Sequence, residues 1–154
     1  MNQTVTLKEL TPYMIGLLED GIDVKLTVTG SSMFPLFSHL KTKVILTRID
    51  DKNIKKWAIP LYMRKNGQYV LHRIVKIKGD SLIMCGDAQV ELEYGITKSD
   101  IIAVVKSFSF FSRQVSVENF WHRVYSFIWI LIRPVRPFFI RLINLLRAAI
   151  RRLK

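Results

Sequence analysis

Ile59-Pro60-Leu61-Tyr62-Met63-Arg64-Lys65-Asn66-Gly67-Gln68-Tyr69-Val70-Leu71-His72-Arg73-Ile74-Val75-Lys76-Ile77 is the stretch on which the fold turns. Two runs rich in β-branched and aromatic residues, 59–64 and 69–77, flank Asn66-Gly67, a dipeptide whose backbone suits a tight hairpin turn. Working outward, the runs 24–29, 44–48, 81–85 and 101–108 have the same character, and Gly79-Asp80 is a second turn signal. Short strands at such intervals, with no helix alternating between them, predict a mainly β protein, antiparallel and partly closed. Ahead of them, residues 1–22 read as one amphipathic helix. Thr6-Leu7-Lys8-Glu9 is a capping box, and Leu7, Leu10, Met14, Leu17 and Leu18 recur at helical spacing until Gly21. Pro12 admits a second start, with the helix opening at Thr11 and the proline in its first position.

The composition narrows the chemistry. The chain has 154 residues, enough for one domain and an appendage. Its one cysteine, Cys85, cannot close an internal disulfide or nucleate a zinc site, so both frameworks are excluded, and no metal or organic cofactor is expected. The net charge of +12 is unevenly spread: residues 1–118 hold 16 basic and 12 acidic side chains, whereas residues 119–154 hold 8 basic and none acidic. The division gives three parts: the helix at 1–22, a β-rich domain at 23–112 and a basic tail at 113–154. No basic and then apolar leader stands at the amino terminus, so membrane attachment is expected from the other end, peripheral and on the cytoplasmic face.

Within the tail, Pro134 and Pro137 predict a kink between two helical lengths. Wound at about 100° per residue, Arg123, Arg133, Arg136, Arg141, Arg147, Arg151 and Arg152 gather on one side. Trp121, Val124, Ile128, Leu131, Phe139, Leu142, Leu146 and Ile150 gather opposite, while His122 falls with the polar side. The apolar runs are too short and too interrupted by arginine for a spanning helix, which needs about 20 apolar residues. An interfacial helix on an anionic membrane surface fits residues 119–154 better than one closing the protein's own core. Nucleic acid fits least, because so large an apolar face gains nothing from phosphate.

The chemistry-bearing residues lie in three short boxes. Thr29-Gly30-Ser31-Ser32-Met33-Phe34-Pro35 sets Ser32 in a glycine turn, with its hydroxyl beside its own amide. A serine hydroxyl needs a base and an oxyanion donor to act as a nucleophile, and His72 supplies a candidate base. It alternates with Val70 and Ile74 on the strand, and apolar surroundings favour the neutral imidazole that a base must be. The third box is Gly86-Asp87-Ala88-Gln89. Taken singly, each has an ordinary structural explanation. His39 reads as a loop residue, and Arg73 as a solvated strand residue or an ion-pair partner.

The first box resembles the Ser-Met-x-Pro motif of type I signal peptidases and, more widely, of signal peptidases and self-cleaving repressors. His72-Arg73-Ile74-Val75 resembles the box in which the endoplasmic-reticulum and archaeal type carries histidine where the bacterial type carries lysine. Gly86-Asp87-Ala88-Gln89 is similar to the Gly-Asp-Asn box that follows, and the likeness spans roughly residues 24–106. It implies a signal-peptidase-like or repressor-like β fold, with Ser32 as nucleophile and His72 as base, acting on an extended peptide or precursor protein. The orienting acid stays open among Asp87, ranked first, Glu91 and Glu93. Bacterial and reticulum-type signal peptidases place a serine where Gly30 stands, and the glycine resembles the repressor branch instead, so the oxyanion would rest on the Ser32 amide with Ser31 as helper. The expectation is a membrane-associated serine endopeptidase that cleaves signal or leader peptides. The alternatives are a cytoplasmic leader-peptide protease and a catalytically silent peptide-binding module held at a membrane.

Overall fold

A computed structural model describes residues 7–111 and 113–152. Helix α1 (Leu7–Glu19) is followed by nine strands: β1 (Val24–Thr27), β2 (Lys43–Thr47), β3 (Pro60–Met63), β4 (Tyr69–Leu71), β5 (Arg73–Lys78), β6 (Ser81–Cys85), β7 (Glu93–Thr97), β8 (Ile101–Phe110) and β9 (Arg113–Ser116). Two helices, α2 (Phe120–Leu131) and α3 (Arg136–Arg152), close the chain and are separated by a 3-10 turn at Arg133–Val135. The predicted class, mainly antiparallel β with a short opening helix and a helical tail, is the one observed.

α1 starts at Leu7 and takes Pro12 into its interior, where Thr11 Oγ1 donates back to the Leu7 carbonyl at 2.7 Å. The later start at Thr11 is therefore not used, and the Thr6 cap lies outside the described residues. The buried stripe is Thr11, Met14 and Leu18, with Leu7 partly covered, whereas Leu10 and Leu17 face outward. The spacing of four, three and four keeps one narrow face on the sheet, and the two leucines one position away are left out of it. The helix ends in a Schellman pair, Ile22 N donating to Leu17 O at 2.8 Å and Gly21 N to Leu18 O at 3.1 Å.

Every strand pairing is antiparallel. The larger sheet runs β1-β2-β8-β3-β4, with β9 also on β8, and the smaller runs β5-β6-β7. The long β8 is the spine: β2 lies along one edge, and β3 and then β9 share the other. Its residues are apolar almost without alternation because both faces are covered. Ala103, Val105 and Phe108 enter a core with α1, while Ile101 and Val104 enter a second core with Ile74, Leu82 and Met84. The run 69–77 is two strands, not one, and the chain passes between the sheets at His72.

The β domain runs past the boundary drawn at residue 112, since β9 pairs with Ser107–Phe110 of β8. The tail also departs from the reading of two free faces. α2 buries His122, Ser126 and Trp129 against the β domain, and Arg136 at the start of α3 is buried as well. His122 and Arg136 thus leave the solvated side assigned to them. Trp121, Ile128, Leu131, Phe139, Leu142, Leu146 and Ile150 remain exposed. No described helix is long and apolar enough to cross a membrane.

Candidate active site

Ser32 and His72 line one cavity of about 700 Å³, walled by β1 and the Gly30-Ser31-Ser32 turn on one side and by β4 on the other. Gly30 takes φ +86°, a conformation that side-chain-bearing residues resist, and its amide donates to His39 Nδ1 at 2.9 Å. That bond ties the turn to the loop after it, giving His39 a structural task the sequence did not show. Ser31 is exposed at the rim and Ser32 is half-buried.

His72 is 2% exposed. Its Nδ1 lies 3.2 Å from Glu93 Oε2 and 3.1 Å from the Tyr62 hydroxyl, which itself donates to Glu93 Oε2 at 2.8 Å. Arg64 grips the same carboxylate through Nε at 2.6 Å and Nη2 at 2.7 Å. Burial works against the Glu93 carboxylate, but the hydrogen bonds from Arg64 and Tyr62 outweigh it and hold its pKa below the ordinary glutamate value. Burial also pushes the His72 pKa down, and the Glu93 charge opposes that only in part. The Tyr62 hydroxyl is raised far above its ordinary value, by burial first and then by Glu93, and so keeps its proton. An ionised carboxylate at Nδ1 calls for the proton on that nitrogen, which leaves Nε2 as the basic one.

Asp87 does not orient this ring. It is buried against Arg73, with Arg73 Nε donating to Oδ1 at 2.9 Å and Nη2 to Oδ2 at 2.8 Å. The physical reason is register: Arg73 pairs with Cys85 across β5 and β6, which carries its guanidinium, not the His72 imidazole, to the turn after β6. Of the three acids left open, Glu93 meets His72. The signal for it was the alternation of Glu91 and Glu93 leading into β7, a strand the sequence reading passed over. Tyr62, on β3, and Arg64, just past its end, were also missed, although both belong to the Asn66-Gly67 hairpin, where Tyr62 pairs with Val70.

The Gly86-Asp87-Ala88-Gln89 box has a different task. Ala88 N donates to the Ser32 carbonyl at 2.8 Å, and a Cβ on Gly86 would stand 2.6 Å from that same oxygen. Glycine is required here for close approach. The turn therefore supports the nucleophile candidate's main chain, while Asp87 fastens it to Arg73, the residue next to His72. All three boxes are joined in one network, through the backbone at Ser32 and the ion pair at Arg73.

The tail completes that network. Arg73 Nη1 donates to Ser126 Oγ at 2.6 Å, the Tyr125 hydroxyl donates to Asp87 Oδ2 at 3.1 Å, and Trp129 Nε1 donates to the Asp87 carbonyl at 2.8 Å. Arg136 reaches over the same turn, donating to Gln89 O at 2.8 Å and Gly86 O at 3.1 Å. Behind it Cys85 is buried, its thiol pKa raised by burial against the opposing pull of Arg136. Comparison with family models, curated proteins and solved structures finds no match to this chain.

Proposed function

We propose that this protein is a serine endopeptidase of signal-peptidase type that works at a membrane surface. One observation carries the reading: Ser32, in a glycine turn, shares a cavity with a buried histidine whose Nδ1 faces a clamped carboxylate. Glu93 and Tyr62 orient the ring, Nε2 of His72 takes the Ser32 proton, and Oγ attacks the scissile carbonyl. The Ser32 amide, helped by Ser31, meets the oxyanion. Collapse passes the proton to the leaving amine, and water then releases the acyl group by the reverse route.

The substrate is an extended peptide. β1 and β4 end the larger sheet, and the cavity lies along both, so a peptide strand has main-chain edges to pair with. The resemblance to signal peptidases favours small residues before the cut. The exposed apolar side chains of α3, with Arg141 among them and no acid in residues 119–154, favour an anionic membrane surface reached peripherally.

The test is turnover of membrane-tethered precursors and of soluble leader peptides by purified protein. Ser32→Ala and His72→Ala are each expected to abolish cleavage, the first with the melting temperature little changed and the second with some loss of stability from its buried site. Cleavage retained by either variant overturns the assignment, and binding without turnover by the parent chain identifies a silent peptide-binding module instead.

A further inference from the structure

We propose that the tip of the β8–β9 hairpin, with Leu40 and Lys41 beside it, is a second membrane contact, carried by the β domain itself and fitted to an anionic bilayer surface. Phe110 pairs with Arg113, so Phe111 stands in the tight connection between the strands. Such connections favour Asn-Gly and similar pairs, because their backbone must enter the left-handed region. Here that conformation is held by Phe111, at φ +44° and 88% exposed, with the half-exposed Phe110 ring edge-on to it at 4.8 Å. Leu40 repeats the pattern, at φ +56° and 64% exposed. At both sites a bulky apolar side chain occupies a backbone suited to glycine or asparagine and projects into water. Folding gains from neither choice.

The surroundings indicate what covers them. Lys41, Phe110, Phe111 and Trp121 line one open cavity of about 1300 Å³, together with Ile150 near the end of α3, and among the described residues no carboxylate lines it. Lys41, Lys43, Arg113 and Arg123 stand exposed around this side. Glu118, the acid nearest in sequence, is held by Lys55 at 2.7 Å. Apolar tips ringed by cations match acyl chains beneath anionic headgroups. A second copy of the chain would set the same cations against one another.

This contact builds on the surface-bound reading of α3 but does not depend on proteolysis. It also orients the cleft, because the loop from Pro35 to Thr42 that lines the cavity carries His39, the acceptor of the Gly30 amide.

The experiment uses the full chain with vesicles of phosphatidylglycerol and phosphatidylcholine, and with phosphatidylcholine alone. F111N suits a left-handed backbone, so thermal stability should hold or rise while partition to the anionic vesicles falls roughly tenfold or more, the effect of withdrawing one aromatic side chain. F110S/F111N should lose more. F111C, labelled with an environment-sensitive dye that buried Cys85 does not compete for, should shift its emission to the blue on anionic vesicles. Unchanged partition of F110S/F111N, alongside loss in Leu142→Ser/Leu146→Ser, overturns the proposal. So does an unshifted dye on bound protein, or a concentration-dependent dimer that F111N abolishes. Ser32→Ala should bind vesicles like the parent, and F111N should cleave soluble peptide like the parent, so failure of one reading is told apart from failure of the other.

Discussion

His72 is poised by two opposed influences, burial that lowers its pKa and the Glu93 carboxylate that partly restores it. Catalysis by the neutral ring should therefore hold below the ordinary histidine pKa of 6.5, with an acid limb in the pH profile of kcat/KM under that value. Glu93→Gln removes the restoring charge, so the limb should move further toward acid while kcat falls by about 10²–10⁴, the usual share of a positioned acid–base group. A limb that moves toward base contradicts the assignment of Glu93. Stability follows the same signs. Both groups bind protons more weakly in the folded state, so the His72 share is complete above 6.5 and lost as pH falls through its depressed pKa, and the Glu93 share is complete above 4.5 and lost below it. Gly86→Ala drives a Cβ into the Ser32 carbonyl and should cost about 1–3 kcal/mol in denaturant unfolding, with a larger proportional loss of activity than of stability. At this scale the meeting of Ser32 and His72 in one cavity was legible only through the resemblance of their boxes to those of signal peptidases, because a serine in a glycine turn and a lone histidine in a strand-like run each have an ordinary structural explanation. The partner of His72 could not be read, because Asp87, Glu91 and Glu93 differ only in which sheet register brings them home.

Among the elements, strand β3, the Asn66-Gly67 turn and strand β6 at 81–85 were legible to within a residue or so, since turn chemistry and β-branched runs mark their ends, whereas the break at His72 that splits 69–77 between two sheets was not. β7 and β9 were not. Glu93-Tyr94-Gly95-Ile96-Thr97 carries a glycine at φ +79° and the acid that meets His72, and Arg113-Gln114-Val115-Ser116 is polar, held in place by pairing with β8. The tertiary neighbour, not the local composition, makes each a strand. The join between β5, the turn after β6 and α2 rests on the Arg73–Asp87 pair, whose side chains are both 1% exposed. Asp87→Asn leaves the guanidinium buried without its charge partner and should cost about 3–5 kcal/mol by chemical denaturation. Arg73→Met/Asp87→Leu should recover part of that loss. A surface-like effect of under about 1 kcal/mol for Asp87→Asn would mean the pair is not the anchor it is taken to be.

In the whole molecule, the tail serves two ends of the same architecture. Its first helix is a brace, with Ser126 held by Arg73 and with Trp129 and then Arg136 fixed on the Gly86–Gln89 turn, whereas α3 beyond that point exposes its apolar side chains. Ending the chain after Pro137 should leave the melting temperature nearly unchanged and weaken vesicle sedimentation. Ending it after Glu118 should unfold the domain or lower its melting temperature by several degrees, in keeping with the loss of several buried hydrogen bonds. The division was hidden from the sequence because His122 and Arg136 look like solvated residues on a helical wheel and are buried by a surface the wheel cannot know about. Cys85, the lone thiol, lies under Arg136 at 3.6 Å and behind that brace. It is a timer already installed in the chain: a maleimide can reach the sulfur only while the brace is lifted, so the alkylation rate of the unmodified protein counts how often the Gly86–Gln89 turn is uncovered.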